Sequence, residues 1–185
     1  IGLALLLNSL DPKIRTFEDV RRNVKLPIAG TIPHIYVHDN DLDIIESELE
    51  EASEKEKPEL ETLLHQIEAR LISNYAPKSS TSESFRILRT NIVAKKQVDK
   101  ALSLIITSSG PKEGKSTIIS NLAITLGQLG DKVILVDLDL RRPMIHNLFN
   151  FDKEGGISDF IADSPLDYRK YIKRGFAHNL DIITS

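Results

Sequence analysis

The sequence predicts an α/β fold, doubly wound around a mainly parallel sheet, and three observations lead to this class. Three apolar runs are each long enough for a strand that is buried on both faces. Between the first two runs, Ile118, Leu122 and Leu126 share one face of a helix at about 3.6 residues per turn. Gly130 follows where a glycine commonly ends a helix. The strands are predicted near 102–107, 132–137 and 179–184, and the first two form a βαβ unit.

The connection between the first strand and the helix has the composition of a phosphate-binding loop. Residues 109–117 read SGPKEGKST, close to the pattern G-x-x-x-x-G-K-[ST] but with Ser109 in its first position. In such a loop, backbone N–H groups and the positive end of the helix surround the phosphates of a nucleoside triphosphate. The sequence therefore predicts a P-loop NTPase type of fold. Its predicted nucleotide-binding residues are Gly110, Lys112, Glu113, Gly114, Lys115, Ser116 and Thr117.

Two carboxylates follow the second predicted strand, in the run Asp137-Leu138-Asp139. Ligands of an open parallel sheet lie beyond the carboxyl ends of its strands, so we expect Asp137 and Asp139 at the same edge as the loop. Two carboxylates there can hold a hydrated Mg²⁺ and accept a proton from an attacking hydroxyl. They can equally cap the helix that begins near Pro143, and both roles can hold at once.

Composition narrows the class of protein. The 185 residues have a formal charge of −3 and no cysteine, which excludes disulfides and cysteine-ligated zinc. The mild acidity gives no reason to expect a nucleic-acid partner. Residues 1–7 are apolar but too few to cross a bilayer, which needs about 20 residues. Their length suits a buried segment, whereas the basic residues between Lys13 and Lys25 are typical of the cytoplasmic flank of a membrane helix.

The segment before the βαβ unit is predicted to be mostly helical. Residues 39–61 are strongly acidic, which indicates a solvated linker with some helix near 42–52. A second amphipathic helix is predicted for 59–73. A third helix near 83–92 carries Glu83, Arg86 and Arg89 on one face. Spacing alone makes this face a solvent-facing one with local ion pairs.

Three motifs in order resemble those of the bacterial tyrosine kinases of capsule and exopolysaccharide export. They are Glu83-x-x-Arg86-x-x-Arg89, the loop SSGPKEGKST and the run ILVDLDLRRP. The start, IGLALLLNSLD and then TFEDVRRNVKLPIAGTIP, resembles the join between the last membrane helix of a polysaccharide co-polymerase and its kinase. The resemblance implies docking of the Glu83, Arg86 and Arg89 face onto a neighbouring subunit in a ring, where tyrosines are phosphorylated in trans.

The same resemblance implies the cofactors ATP and Mg²⁺ and a role for each site residue. Lys115 would grip the γ-phosphate, and Ser116 would bind Mg²⁺. Asp137 would act as the base for a tyrosine hydroxyl and as a metal ligand, with Asp139 supporting the metal.

The resemblance also implies how the chain is divided and where it works. The divisions are the end of a transmembrane helix (1–10), a juxtamembrane segment (11–38), the acidic linker (39–81) and the N-terminal part of an ATP-binding kinase domain (82–185). The implied location is the bacterial inner membrane, with the kinase on the cytoplasmic side and the polysaccharide export machinery as a partner. The family's third acidic motif and tyrosine-rich tail are not in this sequence, so we expect the stretch to be inactive alone.

Two other functions fit the same motifs. One is a partition-type or division-site-selection ATPase, although those proteins have a signature lysine where this chain has Gly110. The other is a non-catalytic nucleotide-sensing module that controls polymer length.

Overall fold

A computed structural model describes residues 17–23, 26–37, 39–96, 100–163 and 167–185. The helices are α1 (Phe17–Asn23), α2 (Asp39–Glu51), α3 (Lys57–Glu68), α4 (Ile72–Tyr75), α5 (Ser80–Val93), α6 (Lys115–Gln128), α7 (Ile145–Leu148) and α8 (Ile157–Ala162). The strands are β1 (Val133–Val136), β2 (Lys173–Ala177) and β3 (Leu180–Ile183). The predicted end of a transmembrane helix at 1–10 lies outside the described residues. Within them, no helix is both long enough and apolar enough to span a bilayer.

The three strands form one mixed sheet in the order β1-β3-β2. β1 and β3 are parallel, with Val133 opposite Leu180 and Val136 opposite Ile183. β2 runs antiparallel to β3 because only two residues join them. Asn179 lies in this turn with φ +58°, a conformation that asparagine tolerates better than most residues.

The prediction of a mainly parallel sheet that includes 102–107 is wrong for the described residues. Both edges of β3 are already bonded to neighbours, so a further strand has room only outside β1 or β2. Residues 102–107 pair with neither strand, and Ile105 is 89% exposed. The strands predicted at 132–137 and 179–184 are confirmed as β1 and β3.

Helix α6 is buried on all sides of its central turns, rather than on one face. Ala123 and Ile124 pack into the main core against Leu135 of β1. The opposite, polar side is also buried, and α4 and α5 pack against α6. Buried polar groups usually have partners, and on this side Asn121, Thr125 and Gln128 bond to backbone groups, whereas the buried Ser120 hydroxyl has none among the described residues.

Asn121 shows how the polar side of α6 is satisfied. Its Oδ1 accepts a hydrogen bond from the Ser73 N–H at 2.9 Å. Its Nδ2 donates to the carbonyl oxygens of Arg70 and Thr117, at 3.0 and 2.9 Å. A fully buried amide with three good hydrogen bonds stabilises the contact between α6 and the 70–73 turn.

A second cluster connects α5 to the segment that precedes the acidic helices. Phe85 of α5 is fully buried and packs with Ile35 and Ile72. Ile118, in the first turn of α6, lies against the same cluster. The cluster therefore connects residues far apart in sequence to the helix that begins at the loop.

Gly127 lies where α6 meets the turn before β3, and we expect alanine there to be destabilising. A Cβ on Gly127 would lie 2.7 Å from the His178 carbonyl oxygen, so the backbone would have to move. Alanine favours a helix over glycine by about 1 kcal/mol. Overpacking costs about 1–3 kcal/mol, so we expect Gly127→Ala to reduce the free energy of unfolding, as measured by urea denaturation. If Gly127→Ala instead raised the free energy of unfolding, the turn before β3 would have moved aside at no cost in stability.

Candidate functional site

The loop at residues 108–114 leads into α6, and backbone N–H groups at this junction are available to bind an anion. Lys112 has φ +61° and Gly114 has φ +82°. The first helical hydrogen bond runs from the Ile118 N–H to the Gly114 carbonyl oxygen at 2.8 Å. In the part of the chain that the structure describes, the N–H groups of residues 112–117 donate to no partner. Such a run of N–H groups at a helix start is the geometry that binds phosphates.

Lys115 folds back over this loop. Its Nζ donates to Ser108 Oγ at 2.9 Å and to the Gly110 carbonyl oxygen at 3.0 Å. Ser108 Oγ also donates to the Gly110 carbonyl oxygen, at 2.8 Å. The ammonium group is therefore held at the loop, where it adds positive charge to the free N–H groups.

Glu113 places a negative charge in the same loop. Ser109 Oγ donates to Glu113 Oε1 at 2.9 Å. The pKa of Glu113 lies below its usual value, chiefly because the Gly110 N–H donates to the carboxylate, and then because of the Ser109 and Ser108 hydroxyls. The carboxylate is consequently ionised at neutral pH.

The orientation of α6 brings the loop to the carboxyl edge of the parallel strands. The helix ends beside the turn before β3, where Asn179 Nδ2 donates to the Gly127 carbonyl oxygen at 3.3 Å. Since α6 returns across β1 and β3 from that end, its first residue, Lys115, lies toward their carboxyl ends. Asp137 follows β1 at this edge, and its N–H donates to the Ile183 carbonyl oxygen at 3.0 Å. Among the described residues, no hydrogen bond or ion pair joins the loop to Asp137 or Asp139.

Asp137 is only 5% exposed, and its carboxylate organises the chain that follows β1. Oδ1 accepts from the Asp139 N–H at 3.0 Å. Oδ2 accepts from the N–H groups of Met144 and Ile145, at 3.1 and 3.0 Å, where α7 begins. The capping role predicted for the acid pair is thus present at Asp137.

Asp139 is exposed and accepts fewer hydrogen bonds than Asp137. Its Oδ1 accepts from the N–H groups of Arg142 and Arg141, at 3.0 and 3.3 Å. Its Oδ2 has no partner among the residues that the structure describes. Over the same residues, no group of three or more histidine or acidic side chains could hold a metal ion. The two carboxylates of Asp137 and Asp139 nevertheless suit Mg²⁺, because this ion is usually bound through one or two carboxylates together with substrate phosphates.

The charged face of α5 is only partly exposed to solvent. Glu83 and Arg86 form the predicted local ion pair, with Arg86 Nε 2.7 Å from Glu83 Oε2. Arg86 Nη1 also donates to the Pro77 carbonyl oxygen at 2.7 Å. Arg89 instead turns onto α6 and donates from Nη1 to the Thr125 carbonyl oxygen at 2.6 Å. The solvent-facing prediction is therefore wrong for Arg89, and docking of this face onto a neighbouring subunit stays a prediction.

Ser108 is a site residue that the sequence motif does not predict. Its hydroxyl accepts from Lys115 Nζ and donates to the Gly110 carbonyl oxygen, so it fixes the lysine to the loop. The residue stands just before the first position of the loop pattern, where the pattern specifies nothing. Its hydroxyl and its place beside the loop are the available signal.

Relatives of known name were found by sequence, although no protein-family profile matches the chain. It is 34% identical over 119 residues to tyrosine-protein kinase YwqD of Bacillus subtilis, covering 64% of this chain and 50% of YwqD. It is 34% identical over 108 residues to tyrosine-protein kinase Etk of Escherichia coli K12, covering 58% of this chain and 15% of Etk. The chain thus spans half or less of these curated relatives.

Solved structures of similar architecture were also found. The kinase domain of Escherichia coli tyrosine kinase Etk matches with a TM-score of 0.68 and 26% identity, covering 92% of this chain and 60% of that one. The chimerical protein CapA2B2 matches with a TM-score of 0.67 and 32% identity, with the same coverage of 92% and 60%. The mixed α/β fold described above therefore resembles that of a solved tyrosine kinase domain.

Proposed function

This chain is homologous to bacterial tyrosine-protein kinases, and on that premise we propose that it forms the ATP-binding part of a protein-tyrosine autokinase. The observation that carries the proposal is the loop before α6. Its N–H groups at 112–117 have no partner among the described residues, and Lys115 Nζ lies against the same loop. A loop of this kind neutralises the charge of the β- and γ-phosphates.

The proposal gives each site residue a task. The N–H groups of 112–117 bind the phosphates, and Lys115 leaves Gly110 to contact the γ-phosphate. Ser116 and Oδ2 of Asp139, which has no partner among the described residues, would hold Mg²⁺, and the ion would neutralise charge on the transferring phosphoryl group. Asp137 positions Asp139 through the hydrogen bond from the Asp139 N–H.

Asp137 is also the proposed base for the tyrosine hydroxyl, and its hydrogen bonds single out one oxygen. A carboxylate oxygen has two lone pairs. Oδ2 accepts two N–H groups, whereas Oδ1 accepts one. We assign proton acceptance to Oδ1, because it keeps an unused lone pair.

The assembly and location that we propose follow the family resemblance. The protein would form a ring in which each subunit phosphorylates tyrosines of the next, together with the polysaccharide export and polymerisation machinery. The N-terminal segment would anchor it in the bacterial inner membrane, with the kinase on the cytoplasmic side. We propose residues 82–185 as the N-terminal part of the kinase domain, and Leu71, which precedes this boundary, is fully buried in the same core as β1 and β3.

The test is phosphotyrosine formation by the full-length protein with Mg-ATP, with and without Lys115→Met. We expect the variant to lose phosphotyrosine by about 100-fold or more, since removal of a single group that stabilises transition-state charge has effects of that size. Lys132→Met is the matched control, because Lys132 is an exposed lysine outside the loop, and it should retain activity.

The other outcomes identify the competing functions. ATP binding without phosphotyrosine in the unmodified protein would contradict the kinase and indicate a nucleotide-sensing module. ATP hydrolysis without phosphotyrosine would indicate a partition-type ATPase switch.

A further inference from the structure

The side chain of Glu113 folds back onto the backbone of the phosphate-binding loop. Its Oε1 lies 3.3 Å from where a Cβ on Gly110 would be, so the carboxylate sits directly over the Gly110 backbone. It accepts a hydrogen bond from the Ser109 hydroxyl, and the adjacent Gly110 N–H lowers the pKa of the carboxylate. These hydroxyl and N–H donors are of the type that a phosphate oxygen would use.

The charges around Glu113 support the same interpretation. Lys115 also attracts the carboxylate, and its Nζ is fixed to Ser108 and Gly110. In this state Glu113 offsets part of the positive charge that Lys112 and Lys115 give the loop, and it takes contacts that a phosphate would make.

We propose that Glu113 is a tethered anion that competes with the nucleotide's phosphates for this loop and so sets the affinity for ATP. The inference rests on the proposed function, because it concerns the same phosphate site. An ionised carboxylate within a few ångströms of a phosphate repels it, so ATP must drive the side chain away from Gly110. Glu113 is exposed, so its side chain can rotate toward solvent.

The alternative is a brace, in which the Ser109–Glu113 hydrogen bond holds the loop in its binding shape. The two roles predict opposite effects of mutation. Removal of a competing anion strengthens nucleotide binding, whereas removal of a brace weakens it.

The experiment compares dissociation constants for Mg-ATP in the full-length protein, its Glu113→Gln variant and its Glu113→Ala variant. Glutamine keeps an acceptor oxygen for Ser109 but loses the charge. We expect Glu113→Gln to bind Mg-ATP about five-fold more tightly at low salt, as expected for removal of one like charge near an anion at an exposed site. The gain should shrink at high ionic strength, because salt screens exposed charges. Glu113→Ala should also bind more tightly.

A control and the contrary outcomes complete the design. Glu61→Gln removes an equally exposed charge from α3 and should change the dissociation constant by less than about two-fold. Unchanged or weaker binding by Glu113→Gln would overturn the tethered anion, and weaker binding by Glu113→Ala would identify the brace. If the unmodified protein shows no magnesium-dependent ATP binding, the proposed function itself fails, and the two failures are thereby distinguished.

Discussion

Replacing Asp137 with alanine is expected to lower the free energy of unfolding by about 3–5 kcal/mol. The carboxylate accepts three N–H groups, from Asp139, Met144 and Ile145. Alanine removes a carboxylate that is 5% exposed and leaves these donors without their acceptor. Each unsatisfied buried donor costs about 1–3 kcal/mol, so the stability loss by itself is large. Urea denaturation of the variant measures it.

Asp137→Asn separates the structural role of this side chain from its proposed catalytic role. The amide can still accept from Met144 and Ile145 through its oxygen, but its NH₂ group then faces the Asp139 N–H. We expect a smaller stability loss of about 1–2 kcal/mol. Loss of a general base typically costs about 10²–10⁴-fold in rate, so phosphotyrosine formation should fall by at least about 100-fold in protein that is still folded.

Asp139→Asn is the matched control for stability. Asp139 is exposed, and an asparagine oxygen can keep the bonds from Arg141 and Arg142, so stability should change by less than about 0.5 kcal/mol. Near-normal phosphotyrosine formation by folded Asp137→Asn would contradict the assignment of a base to this residue.

Phe85→Ala is expected to lower the free energy of unfolding by about 3–5 kcal/mol, the range for a buried phenylalanine whose neighbours cannot collapse into the space. Phe85 is fully buried against Ile35, Ile72 and Ile118, which come from three separate parts of the chain. No single element can move to refill the cavity without disturbing the other two. Ile118 lies in the first turn after the loop, so we also expect weaker Mg-ATP binding by this variant.

Two variants test that explanation. Ile87→Ala removes a large side chain from the same helix, but Ile87 is 52% exposed, and we expect a loss of less than about 1 kcal/mol. Phe85→Leu keeps most of the volume and should cost less than about 1.5 kcal/mol. Equal losses for Phe85→Ala and Ile87→Ala would show that the cluster around Phe85 contributes little.

Helix α6 and strand β1 could be predicted because the residues that indicate each element lie within it or next to it. The spacing of apolar residues at about 3.6 per turn predicts α6, Gly130 follows it with φ +102°, and the apolar run before Asp137 forms β1. The failure at 102–107 has a different origin. An apolar run shows that a segment can form a strand, but pairing depends on which strand edges are free, and this is a property of the whole sheet.

The same distinction applies to the candidate site. The pattern at 109–117 indicates where phosphate-binding N–H groups lie, because that geometry is built into one short stretch. It gave no sign that Glu113 folds over Gly110, or that Arg89 turns onto Thr125. These contacts depend on side-chain rotamers and on helix packing, which residue spacing does not determine.

Two hydrogen bonds of Asn121 limit which movements can accompany nucleotide binding. If α6 slid by one turn, its bonds to the Ser73 N–H and the Arg70 carbonyl oxygen would break and leave buried polar groups without partners, whereas the bond to Thr117 lies within α6 and would move with it. Longitudinal motion of the helix is therefore suppressed, and adjustment to a ligand must be confined to residues 108–117, upstream of this anchor. The phosphate-binding loop can therefore change its shape while helix α6 stays in place.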